Sequence, residues 1–228
     1  MQEKNGGVAM NHLKVKTKMF LLVGMVLVIM LISAVITLGS LVEINNKSLD
    51  NLEVKIRSDY DQAIKEQVET VITLVDTVYK QYEAGVYTEA EAKKVAADLV
   101  RELRYGAEGY FWIDTYDGIT VVLLGRDTEG TNRYDMKDAN GLELIKGIIA
   151  AGKAGGGYTD YMFPKAGEDI PLPKRSYSMA YENWEWVIGT GNYTDYIDDV
   201  VAQTAAEFRS VLVSKMLMYL IVALVFFV

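Results

Sequence analysis

Cysteine is absent from the 228 residues. No disulfide can hold the fold, no thiol can serve as nucleophile or metal ligand, and sulfur leaves the redox compartment unread. Histidine occurs once, as His12, ahead of the first long apolar run. A zinc site, a Cys–His pair or a Ser–His–Asp triad is thereby excluded from the rest of the chain. Proline is scarce, with three residues, and neither proline nor glycine interrupts positions 40–84. Basic residues are outnumbered, 23 against 31 acidic ones, for a net charge of −8. Such a chain would repel phosphates, so nucleic acid is not an expected partner. The triplet Gly155-Gly156-Gly157 has no Lys-Ser/Thr after it and leads into a strand, so it does not read as a P-loop.

What is present is long apolar sequence. Residues 19–42 form a run of 24 without a charge. As a helix it covers roughly 36 Å, against a hydrocarbon core of about 30 Å. Lysines precede it and Ser33-Ala34 could mimic a cleavage site, but the apolar core of a signal peptide is only about 7–15 residues long. An uncleaved anchor is the stronger reading. A second apolar run, residues 216–228, is 13 long and ends with the chain. It is too short to span and reads as a membrane helix cut in mid-span, so the chain is expected to be part of a longer protein. Lys4, Lys14, Lys16 and Lys18 precede the first run, whereas positions 43–214 hold 18 basic and 30 acidic residues, a net of −12. The positive-inside bias then puts residues 1–18 in the cytoplasm and the middle of the chain outside. The expected layout is a first membrane helix over 19–42, an extracytoplasmic domain over 43–210, and the start of a second membrane helix from 211. That is a multi-pass protein of the cell membrane.

Beyond the anchor the apolar residues keep a helical period. Leu49, Leu52, Ile56, Tyr60, Ile64, Val68, Val71, Val75, Val78 and Tyr82 make one stripe. The membrane helix and domain helix are expected to form one rod, its stripe packed on its own sheet, on a second copy in a dimer, or on both. Thr88-Glu89-Ala90-Glu91 is a capping box opening a short helix to about Arg104. Strands are expected at 109–115, 119–124, 158–163, 174–181 and 184–190, with a helix over 141–151. Pro171-Leu172-Pro173 reads as a loop and Gly191 as the break that ends the sheet. The class is α+β: a five-stranded antiparallel sheet between helices.

Carboxylates such as Asp114, Asp117, Asp160 and Asp169 read as turn formers and solvated surface, although a catalytic pair among them stays open. Tyrosine stands out, with fifteen residues beside three tryptophans. On 109–115 the strand period puts Tyr110, Trp112 and Asp114 on one face and Phe111 and Ile113 on the other. Aromatics there are good core. Buried tyrosine hydroxyls also need partners, and several near a cation suit a small carboxylate. The candidate cations are Arg104, Arg126, Lys174 and Arg175.

In order and spacing, these motifs resemble a known family. Leu103-Arg104-Tyr105-Gly106, Gly109-Tyr110-Phe111-Trp112-Ile113 and Lys137-Asp138-Ala139-Asn140-Gly141 look like the first half of single-Cache sensor domains. Pro173-Lys174-Arg175-Ser176-Tyr177 and the run from Trp184 to Tyr193 look like the second half. The match covers roughly residues 45–200, and its motifs are specific taken together. It is similar to domains between the two membrane helices of methyl-accepting chemotaxis receptors and of some sensor kinases. The resemblance implies a PAS-like sheet with a long N-terminal helix on one face and a small-ligand pocket on the other. The ligands it implies are small carboxylates such as acetate, propionate, pyruvate or lactate. It puts the carboxylate contacts on Lys174 and Tyr177, with Arg104, Tyr110, Trp112 and Tyr161 lining the site. Strand alternation sets Lys174 and Tyr177 on opposite faces, so one pocket for both requires a twist or bulge, or Lys174 at its mouth. Many members carry a His-Pro pair where this chain has Leu123-Leu124.

The expectation is a dimeric, membrane-embedded chemoreceptor sensor binding a C2–C3 carboxylate. It has no catalysis of its own, no cofactor and no metal. Its signal would pass through the second membrane helix, with Gly191 as a weak joint, to cytoplasmic signalling proteins. A sensor histidine kinase or cyclase with the same domain is the rival within the class. A membrane-anchored extracytoplasmic enzyme or an adhesion module is the rival outside it.

Overall fold

The computed structural model describes residues 14–165 and 168–225. Lys4, His12 and the end of the second apolar run lie outside the described residues. Leu52–Val201 forms one compact unit, and the flanking helical segments form another.

Helix α1 runs over Val15–Glu83. Its N-terminal part is, among the described residues, the one helix stretch long and apolar enough to cross a membrane. Further along, the stripe buries Ile64, Val68, Val71, Val75 and Val78, and these pack on the sheet of the same domain. Helix α2 (Glu89–Glu102) starts with the expected capping box. The Glu91 N–H donates to the Thr88 hydroxyl at 3.3 Å, and the Thr88 N–H donates to the Glu91 carboxylate at 2.8 Å.

Six strands follow: β1 (Arg104–Tyr105), β2 (Gly109–Thr115), β3 (Thr120–Leu123), β4 (Gly157–Pro164), β5 (Pro171–Tyr181) and β6 (Trp186–Tyr193). All pairings are antiparallel, in the order β1-β2-β6-β5-β4, with β3 also on β2. Helix α3 (Leu144–Lys153) lies between β3 and β4, and α4 (Asp195–Val225) follows β6. The sheet has two apolar faces, as strand alternation requires. Phe111, Ile113, Val122, Trp186 and Ile188 pack under α1 and α2. Tyr110, Trp112, Leu123, Tyr161, Phe163 and Val187 pack under α3.

The structure corrects the sequence reading in four places. Arg104-Tyr105 is a sixth, two-residue strand rather than the end of a helix. Pro171-Leu172-Pro173 opens β5 instead of forming a loop. Strand β6 pairs with β5 only from Lys174 onward, so the prolines sit where β5 has a single neighbour and a missing N–H is tolerated. Trp184 ends a short helical turn, Glu182–Trp184, before β6 begins. Finally, Gly191 does not break the sheet: it pairs with Ser176, and β6 continues to Tyr193. A Cβ on Gly191 would lie 2.5 Å from the Arg175 carbonyl oxygen and 2.7 Å from the Ser176 Cα. The close approach of the strands by itself requires a glycine there.

Candidate ligand site

Between the sheet and α3 lies a cavity built by strand period. Tyr110, Trp112 and Asp114 come from β2, Leu123 from β3, Tyr161 and Phe163 from β4, and Lys174 from β5. Arg133 reaches it from the β3–α3 connection, and Leu144, Ile145 and Ile148 of α3 close the other side. Gly189 lies opposite Trp112 in register. A Cβ there would be 2.6 Å from the indole ring, so the glycine makes room for it.

Lys174 is 2% exposed. Its ammonium donates to the Tyr110 hydroxyl at 2.8 Å and lies 4.5 Å from the Tyr110 ring centre, 5.1 Å from Tyr193, 5.4 Å from Phe163 and 5.6 Å from Trp112. Rings favour a cation but do not neutralise it, and no carboxylate pairs with Lys174 among the described residues. Burial, and secondarily the charge of Arg126, lower its pKa to about 7. The acid lining the cavity is committed elsewhere. Asp114 is fully buried and accepts from the Arg133 guanidinium at 2.9 Å; burial pushes its carboxyl up and Arg133 opposes the shift. Trp112 is 4% exposed, and its indole N–H has no acceptor among the described residues. Tyr161 is buried, which pushes its hydroxyl pKa well up, and the neighbouring Ser176 opposes that shift. Among the described residues, the cavity lining therefore includes a cation without a counter-charge and an N–H without an acceptor, both suited to an oxyanion.

Of the six residues singled out from sequence, four meet here: Tyr110, Trp112, Tyr161 and Lys174. Tyr177 does not join them. Strand β5 keeps regular register with both neighbours from Lys174 to Tyr181, so alternation turns Tyr177 to the α1 side, against Ile64 and Val68. Arg104 is exposed and donates to the carbonyls of Arg101 and Leu103 at 2.6 and 2.7 Å. Arg175 also faces α1, where Asp61 and Asp160 hold it. The sequence reading missed the buried pair Asp114–Arg133, having counted Asp114 as surface. Its parity with Tyr110 and Trp112 was the available signal, since an acid on a buried face requires a cation.

The space open to a water centre inside the cavity is about 20 Å³, little more than the roughly 10–15 Å³ that one water needs. An outer chamber of about 580 Å³ shares Leu123, Arg133 and Phe163 with it. Leu124, beside that wall, has the left-handed φ of +57°. The Glu129 carboxylate holds this turn, accepting from the Leu123 and Gly125 N–H groups at 2.6 and 2.8 Å.

This architecture is shared with known sensors. The model of single Cache domain 2 matches residues 56–207. The chain belongs to that family. Over 90% of its length it is 32% identical to the sensor histidine kinase MctS of Rhizobium johnstonii, covering 43% of that protein. Over 68% of its length it is 29% identical to the methyl-accepting chemotaxis protein McpP of Pseudomonas putida, covering 29% of that protein. The chain thus spans less than half the length of these curated relatives. Among solved structures, it resembles a Cache chemosensory domain studied for carboxylic acid recognition. The TM-score is 0.58 at 26% identity, over 61% of this chain and 96% of that one. A methyl-accepting chemotaxis protein of Vibrio parahaemolyticus matches with TM-score 0.59 at 25% identity, over 66% of this chain and 99% of that one. This Cache sensor domain is of the kind carried by chemoreceptors and sensor kinases.

Proposed function

We propose that the chain is the sensor region of a transmembrane chemoreceptor that binds a small organic acid, a C2–C3 carboxylate, in the cavity under α3. The observation carrying this is Lys174, a buried cation with no counter-charge among the described residues. A bound carboxylate supplies that charge, and its second oxygen can take the free Trp112 N–H. The likeness to a Cache domain studied for carboxylic acid recognition supports the same ligand class. In this reading the protein is a homodimer in the membrane with its central domain outside. It performs no catalysis and acts on cytoplasmic signalling proteins through α4 and sequence beyond it. The similarity to MctS supports a histidine-kinase output as the second reading.

A thermal-shift screen of the full chain with acetate, propionate, pyruvate, lactate and several amino acids tests the ligand class. A ligand at a hundredfold excess over Kd adds about 2.7 kcal/mol, a melting shift of roughly 5–10 °C for a domain of this size. Shifts by the small acids are the expected result. Shifts by amino acids or amines alone would overturn the carboxylate assignment.

A further inference from the structure

Arg126 is a second cation near this site without a carboxylate partner among the described residues. It lies in the turn after β3, its N–H donating to the Leu123 carbonyl at 3.0 Å. It lines the outer chamber, which shares Leu123, Arg133 and Phe163 with the inner cavity. The other charges of that chamber are spent: Arg133 on Asp114 at 2.9 Å, and Asp135 on Lys146 at 2.8 Å. Arg126 is near enough for its charge to be felt at Tyr110, Lys174 and Tyr193. Two like charges so placed repel each other. A monocarboxylate neutralises only one of them. Size points the same way, because the inner space of about 20 Å³ holds little beyond one small group. The outer chamber adjoins that space at Leu123, Arg133 and Phe163, so the rest of a longer ligand has room to extend toward it.

We propose that Arg126 is a second anion-binding point, and that the preferred ligand is a short dicarboxylate with one end on Lys174 and the other on Arg126. This deepens the carboxylate reading above and rests on it.

Titration calorimetry on the full chain in lipid nanodiscs tests the proposal, with propionate against malonate and succinate at about pH 6.5, where Lys174 keeps most of its proton. At least one diacid should bind about tenfold or more tighter than propionate. Arg126→Gln should weaken that diacid by roughly ten- to a hundredfold, as for a lost charge-assisted hydrogen bond, and leave propionate within about threefold. Arg126→Lys should restore part of the loss. Diacids binding no tighter than propionate would overturn the proposal while leaving the carboxylate reading intact. Equal weakening of both classes by Arg126→Gln would do the same, reducing Arg126 to a general field. If no acid of either class binds the parent, both readings fall.

Discussion

Lys174 and Arg175 are adjacent in the chain and face opposite sides of β5; among the described residues one cation has no carboxylate partner and the other has two. The Arg175 guanidinium donates to Asp61 of α1 at 2.6 and 2.9 Å and to Asp160 at 2.6 Å. Among the described residues, the Lys174 ammonium meets only the Tyr110 hydroxyl and aromatic rings. One strand thus separates a structural charge from a free one, and substitutions at the two positions should separate stability from binding.

At Lys174 the expected result is loss of ligand without loss of fold. Lys174→Met keeps an unbranched chain in the cavity and removes a buried charge with no partner, so the unliganded protein should melt at the same temperature or higher. Carboxylate affinity should fall by one to two powers of ten, the worth of a charge-assisted hydrogen bond at about 1.5–3 kcal/mol. Calorimetry and a thermal melt on the same sample check both halves. Parent-like affinity in the variant would remove Lys174 from the site.

Arg175→Ala should show the opposite pattern. It breaks a half-buried bidentate pair between β5 and α1 and should cost about 1–3 kcal/mol of stability. Ligand affinity, measured well below the melting temperature, should stay within about threefold. A denaturant titration reads the stability. A large affinity loss with normal stability would mean that the two faces of β5 had been assigned the wrong way round.

The pH responses of binding and stability should run in opposite directions. Folding lowers the Lys174 pKa to about 7, from about 10.4 in an unfolded chain. Between those values the unfolded state holds more protons, so unliganded stability rises as pH increases. Carboxylate affinity requires the ammonium form and should fall above about pH 7, approaching tenfold per unit. Burial pushes the Tyr60, Tyr161 and Tyr193 hydroxyls upward, so tyrosine ionisation opposes the stability trend only above about pH 10. Melting curves and titrations at pH 6–9, repeated on Lys174→Met, check the linkage. The variant should lose this rise in stability.

Much of the fold was legible because it is locally encoded. The stripe on α1, the Thr88–Glu91 capping box and the parity of Tyr110, Trp112 and Asp114 each follow from spacing along one segment. Three of the features that were missed depend on partners well separated in sequence. Gly191 looked like a break because its reason is the backbone of Arg175 and Ser176 on the next strand. Pro171 and Pro173 looked like a loop because the end of β6 pairing cannot be seen in their own segment. Asp114 looked like surface because Arg133 reaches it from a turn with no periodic signal.

Gly191 gives a prediction that replaces the weak-joint expectation. Gly191→Val would push a side chain into the Arg175 carbonyl and the Ser176 backbone. Crowding of that kind costs typically about 1–3 kcal/mol, so the variant should melt lower with or without ligand. A variant as stable as the parent but altered in signalling output would revive the joint.

Coupling from the sheet to the helices should instead depend on Tyr60. Its hydroxyl, on α1, lies 2.7 Å from the Arg175 carbonyl and 3.0 Å from the Asn192 carbonyl, and accepts from the Asn192 N–H. One side chain therefore ties α1 to the strand that carries Lys174 and to the end of β6, next to α4. A ligand that shifts Lys174 would change the load on this tie, and only its different affinity for two arrangements could drive them apart. Helix shifts at such junctions are typically about 1–2 Å. Tyr60→Phe deletes the hydroxyl alone and should cost near 1 kcal/mol of stability. Affinity should remain within about threefold, because Tyr60 does not line the cavity. The signal should change: with cysteines at Ile44 and Phe208, a ligand-dependent crosslinking rate in the parent should become ligand-independent in Tyr60→Phe. Equal ligand dependence in both proteins would show that the signal leaves the domain by another contact.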